Sequence, residues 1–216
     1  MVKTNSLITN YLTIYNSIQT VGWYYVIFLM VWRSLNLGFL PSLQTTYISL
    51  GSTVCFLQLL AFLEILHVLL GFTKSSLIPT LSQVFGRNHV LLVALAYTPE
   101  VQQHWGVWLM FFIWGVSELI RFPYYLYGNN SPKLLTWLRY NAFIVLYPLG
   151  FGAENVLWYK MLPVILERRI HFIDMPNQFN FAYNYYYFLL VWITLTLLVF
   201  PQQYMYMFKL RAKKMN

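Results

Sequence analysis

Acidic side chains are scarce in this chain. Of 216 residues, 6 are Asp or Glu, and charged residues of both signs make up only 9%, against about 25% in an average soluble protein. So little charge cannot clothe a water-soluble globule, which excludes a soluble single domain. Cysteine is scarcer still. Cys55 stands alone, which excludes an intramolecular disulfide and a cysteine cage for metal. A Cys-x5-Arg phosphatase loop is excluded too, because Ala61 lies six positions after Cys55. G-x-S-x-G elbow, P-loop, internal repeat and Gly/Ser linker are all missing. The 4 histidines, His67, His89, His104 and His171, are too few for the His-box arrays of membrane desaturases.

What is present is apolar. Hydrophobic residues make up 59% of the chain and aromatics 20%, a composition that suits membrane helices with interfacial Trp and Tyr belts. A bilayer core of about 30 Å needs about 20 apolar residues per helix. Six segments qualify, at 11–31, 47–70, 77–97, 105–122, 134–157 and 183–207. The third is the weakest, interrupted by Ser82, Gln83, Arg87, Asn88 and His89. Helices satisfy their own backbone in lipid, whereas barrel strands would show short alternating runs. The expected fold is therefore all-α, a polytopic bundle of six transmembrane helices forming one membrane-embedded domain over 1–216. The N-terminal segment lacks the charged region and cleavage site of a signal peptide, so the first span is expected to be retained.

An even number of spans puts both termini on one side. Lys3, Lys74, Arg87, Arg121, Lys133, Arg139, Lys209, Arg211, Lys213 and Lys214 then share the terminal side, against Arg33, Lys160, Arg168 and Arg169 opposite. The positive-inside rule places the richer side, and both termini, in the cytosol. The same rule accounts for the net charge of +8 without nucleic acid as a partner. Lys213 and Lys214 resemble a dilysine retrieval signal of endoplasmic reticulum proteins; they suit equally a polybasic anchor to anionic lipid. Asn129-Asn130-Ser131 is a formal glycosylation sequon, expected to stay unmodified in a cytosolic loop.

Ionisable groups inside spans are costly and are functional candidates by default. They are Glu64 with His67, Arg87 with His89, Glu118 with Arg121, Arg139 and Glu154. Glu64/His67 and Glu118/Arg121 are i,i+3 pairs on single helix faces; the plainer reading of each is an internal pair that holds the bundle together. The E-x-x-H pair also evokes di-iron sites, but Arg121 stands where the second histidine would be needed, so no metal is expected. In the fifth segment Tyr147 and Glu154 are two turns apart and share a face within about 20°. Pro148 should kink the helix there, and Gly150 and Gly152 permit close approach of a neighbour or ligand. A phenol and a carboxyl aimed into one cavity suit acid–base chemistry. The alternative is a packing helix whose Glu154 pairs with Arg87, Arg121 or Arg139.

Three motifs resemble a known family when taken in order. They are Ser117-Glu118-Leu119-Ile120-Arg121-Phe122-Pro123-Tyr124-Tyr125, Leu135-Thr136-Trp137-Leu138-Arg139-Tyr140, and Leu146-Tyr147-Pro148-Leu149-Gly150 with Ala153-Glu154. Together they are similar to the very-long-chain 3-hydroxyacyl-CoA dehydratases, the protein-tyrosine-phosphatase-like membrane proteins of the endoplasmic reticulum. The likeness extends back to Leu63-Glu64-Ile65-Leu66-His67 and Gln83-Val84-Phe85-Gly86-Arg87, and forward to Phe179-Asn180-Phe181-Ala182-Tyr183. The resemblance implies a hydro-lyase converting (3R)-3-hydroxyacyl-CoA to trans-2-enoyl-CoA in fatty-acid elongation, beside an elongase and two reductases, with no cofactor. It places the catalytic pair on Tyr147 and Glu154, with Arg87, Glu118, Arg121, Arg139 and Gly150 in support. Phe122, where a tyrosine is common, and Asn155, where an apolar residue is usual, depart from the pattern without touching the pair.

The chemistry needs one base for the proton beside the thioester carbonyl and one acid for the departing hydroxyl. Glu154 as acid and Tyr147 as base is one assignment; the reverse serves nearly as well. The acyl chain would lie in the bundle, with CoA phosphates near Lys133, Arg139, Arg121 or Arg87. A catalytically silent member acting as membrane adaptor or lipid-binding subunit is the alternative, against which the matched acid and base argue. A small transporter would instead line a path through several helices with polar groups.

Overall fold

The computed structural model describes residues 6–215; Lys3 and Asn216 lie outside them. Among the described residues there is no β-strand, and each of the six apolar segments is helical. The first is α1 (Ser6–Asn36). A short α2 (Phe39–Gln44) leads into α3 (Thr46–Leu60) and α4 (Phe62–Leu69), which make up the second segment with a turn at Ala61. The third is α5 (Leu77–Asn88), continued by a π-helical turn at His89–Ala94 and a 3-10 turn at Leu95–Tyr97. Then come α6 (Trp105–Tyr127), α7 (Lys133–Asn141), α8 (Phe143–Arg168) and α9 (Tyr185–Met215).

Among the described residues, three helical stretches are both long and apolar enough to cross a membrane: Thr46–Leu69, Trp105–Asn130 and Tyr185–Lys214. Only 6% of the last one's apolar window is buried within the protein. Val191, Leu195 and Leu198 point outward from it, as Val21 and Phe28 do from α1. Such a surface is stable only where lipid covers it, so these helices fit a membrane protein.

The core sits where α1, α6 and α8 meet. Trp23, Val26 and Met30 of α1 pack with Met110, Phe111 and Trp114 of α6 and with Leu157 and Met161 of α8, all buried. Gly115 lets α1 approach α6 closely, since a Cβ there would stand 2.6 Å from Ile27 Cδ1. Gly150 does the same between α8 and α6, where a Cβ would meet Ile113 Cγ2 at 3.1 Å. Gly152 faces open space, so of the two glycines only Gly150 serves a close approach.

The fifth segment departs from expectation. It is two helices, parted at Ala142, and α8 continues through Pro148 unbroken. Pro148 lacks an N–H, so the carbonyl four residues back loses its helical donor. That carbonyl belongs to Ile144, and the Tyr204 hydroxyl of α9 donates to it at 2.9 Å. The parting at 142 has its own anchor: Asn141 Nδ2 donates to the Trp137 carbonyl at 2.8 Å, while Arg211 Nε donates to Asn141 Oδ1 at 2.8 Å. Tyr204→Phe should therefore leave a carbonyl unpaired and lower stability by about 1–2 kcal/mol, read as an earlier thermal unfolding midpoint in detergent.

Candidate active site

The in-span charges gather on one side of α6, in a ladder of alternating sign. Glu118, with its side chain 2% exposed, accepts from Arg121 Nε at 2.5 Å and pairs with Arg87 of α5. Arg121 spends its two remaining nitrogens on Glu64 of α4, at 2.9 and 2.7 Å. Tyr15 of α1 donates to Glu64 Oε1 at 3.2 Å, and Gln19 and Trp23 continue the chain along α1. Two carboxylates and two guanidinium groups cancel, the arrangement that makes buried charge tolerable. A cavity of about 10 Å³ among these residues has room for roughly one water.

The i,i+3 pair expected of Glu118 and Arg121 is present. That of Glu64 and His67 is not, because Glu64 turns to Arg121 and His67 Nε2 meets the Tyr11 hydroxyl at 2.9 Å. Arg87 and Arg121 are spent on carboxylates, so they offer no free charge to CoA phosphates. Arg139 sits apart, on α7, with its guanidinium 5.9 Å from the centre of the Tyr125 ring.

Glu154 is the exception among the in-span acids. Among the described residues no cation forms an ion pair with it; instead the Trp114 indole N–H donates to its Oε1 at 2.9 Å. Arg87 lies across the same indole, 5.0 Å from the ring centre, so the ladder ends against the group that holds Glu154. The packing alternative, Glu154 bound by Arg87, Arg121 or Arg139, is thereby replaced by a neutral hydrogen bond.

Tyr147 stands two turns earlier on α8, about 10 Å along the axis. Its ring stacks on Phe200 and Tyr204 of α9, with centroids 5.1 and 5.9 Å away and planes within 9°. Its hydroxyl donates to Gln203 Oε1 at 2.6 Å, and Gln203 Nε2 donates to Ser82 Oγ of α5 at 2.9 Å. Thus α5, α6 and α9 supply the partners of Tyr147 and Glu154 on α8. Among the described residues no three or more His, Cys, Asp and Glu cluster where a metal could be held.

Trp114, Gln203 and Tyr204 are absent from the set expected from sequence, which rests on in-span charges and on the motif around Tyr147, Gly150 and Glu154. The signal available was their polarity: an amide or indole N–H within an apolar span is costly until it finds a partner.

Comparison with known proteins now decides the family. The model of the family described as "Protein tyrosine phosphatase-like protein, PTPLA" matches residues 58–216. The chain belongs to this family. PTPLA relatives include the very-long-chain (3R)-3-hydroxyacyl-CoA dehydratase of Gallus gallus, 38% identical over 79% of this chain and 47% of that protein. Dehydratase 2 of Homo sapiens is 36% identical over 82% of this chain and 70% of its own length. The Arabidopsis thaliana dehydratase PASTICCINO 2 is 32% identical over 81% and 78%. The chain thus spans about half the length of the Gallus gallus relative. No solved structure matches it. The phosphatase in the PTPLA name has no counterpart at Cys55, which Ala61 and not arginine follows six positions on.

Proposed function

We propose that this PTPLA-family chain dehydrates (3R)-3-hydroxyacyl-CoA to trans-2-enoyl-CoA, the third step of fatty-acid elongation, with Tyr147 and Glu154 as the acid–base pair. The observation that carries the reading is the contrast among the in-span carboxyls. Glu64 and Glu118 are consumed by guanidinium groups, while Glu154 keeps only a neutral donor and shares a helix face with Tyr147. The names of the curated relatives supply the substrate class.

In the reaction the base takes the C2 proton of the substrate. That C–H electron pair becomes the C2=C3 bond, and the C3–O pair leaves with the hydroxyl. The hydroxyl takes the proton of the acid and departs as water. Tyr147 as base with Glu154 as acid balances the step, as does the reverse. The protein's part is proton transfer at two sites, with no electron or group passed to a carrier, so the proposed step calls for no cofactor.

Six spans, a single membrane-embedded domain in the endoplasmic reticulum and cytosolic termini complete the reading, with an elongase and two reductases as neighbours. Omitting the internally balanced Arg87 and Arg121 still leaves the basic excess on the terminal side. Lys133 and Arg139 remain as the cations for CoA phosphates. Purified full chain, given 3-hydroxyacyl-CoA of several chain lengths with a chelator present, should release enoyl-CoA. No product at any length would overturn the assignment.

A further inference from the structure

Gln203 lies in the middle of an apolar helix, directly after Pro201 and Gln202. An amide there is costly unless both of its ends are bonded, and both are: Oε1 accepts from Tyr147 and Nε2 donates to Ser82. The neighbours fix the geometry further. Phe200 and Tyr204, on either side of Gln203 along α9, stack on the Tyr147 ring, which orients the phenol toward the amide. Facing Tyr147 from α9 is the Tyr204 ring, and on α5 the hydrogen-bond chain ends on the non-ionisable Ser82.

We propose that Gln203 is a positioning residue for Tyr147, its amide turning to hold the phenol in one half of the cycle and the phenolate in the other. The inference rests on the dehydratase reading above. A phenol donates to the amide oxygen, whereas a phenolate needs a donor, and a half-turn of the amide brings Nε2 to it. The turned amide then presents Oε1 to Ser82, whose hydroxyl can donate as readily as it accepts. The chain Tyr147–Gln203–Ser82 is thus complete in both states, and no proton is gained or lost by the turn. A carboxylate in place of Gln203 would serve the phenol alone.

The test uses detergent-purified full chain carrying Gln203→Leu, Gln203→Glu, Ser82→Ala and, as reference, Tyr147→Phe. Losing a hydrogen bond to a charged group should lower kcat of Gln203→Leu by about 10- to 100-fold, with KM and thermal midpoint close to wild type. Gln203→Glu should fall lower than Gln203→Leu, and Ser82→Ala should show a smaller loss in kcat alone. Gln203→Met, nearly isosteric, replaces the leucine variant should that one not fold, with the same expectation. Wild-type kcat in Gln203→Leu or Gln203→Met, or a loss confined to KM or to stability, overturns the role of Gln203. If wild type forms no enoyl-CoA, or Tyr147→Phe keeps full turnover, the dehydratase reading itself fails and this inference with it.

Discussion

Glu154→Gln should lower turnover of 3-hydroxyacyl-CoA by about 10²- to 10⁴-fold, the range expected for loss of a positioned general acid or base. The fold should survive. Glutamine matches glutamate in size, and its amide oxygen can still accept from the Trp114 indole where Glu154 Oε1 now does, at 2.9 Å. No ion pair is broken, because none is made. What disappears is the exchangeable carboxyl proton, so the loss should fall on kcat while substrate still binds. Wild-type kcat in a folded Glu154→Gln would remove Glu154 from the chemistry.

The largest effect on stability should come from the ladder. Glu118→Ala removes a carboxylate from two guanidinium groups at once; Arg121 keeps Glu64, while Arg87 is left without an acidic partner. Breaking a buried pair by deleting one member costs about 3–5 kcal/mol, because a charge is left uncompensated. For a chain of this size that corresponds to a Tm lower by about 10 °C. The control is the exposed pair Arg168–Glu100, with side chains 47% and 51% exposed. There Arg168→Ala should cost at most about 1 kcal/mol. Equal effects from the two substitutions, measured by thermal unfolding in one detergent, would show that the ladder does not carry the fold.

The helices were legible in the sequence because long apolar runs need only composition to be seen. Their interruptions were less so. α8 runs on past Pro148, and the carbonyl of Ile144 that Pro148 cannot serve finds the hydroxyl of Tyr204, 60 residues away in sequence. The parting at Ala142 depends likewise on Asn141 meeting Arg211 from the far end of the chain. Period and composition cannot encode such meetings between distant segments.

The candidate site divides in the same way. Tyr147 and Glu154 could be paired from sequence because one helix sets their spacing. Glu118 and Arg121 could be joined for the same reason, and they are. The partner of Glu64 could not be found locally: the i+3 rule offers His67, whereas α6 brings a bidentate guanidinium that a carboxylate prefers. The partners of Glu154 and Tyr147, Trp114 and Gln203, come from two other helices and carry no formal charge, so charge within a span does not mark them.

If Tyr147 and Glu154 together perform a dehydration, the phenol hydroxyl is indispensable, and Tyr147→Phe removes it alone. Phenylalanine keeps the stacking on Phe200 and Tyr204 and removes only the hydroxyl that now donates to Gln203. Enoyl-CoA formation from (3R)-3-hydroxyacyl-CoA should be followed for wild type and Tyr147→Phe, purified side by side and of matched thermal midpoint. Wild type should turn over, and the variant should lose at least about 10²-fold. Equal turnover in the two proteins would contradict a dehydration by this pair.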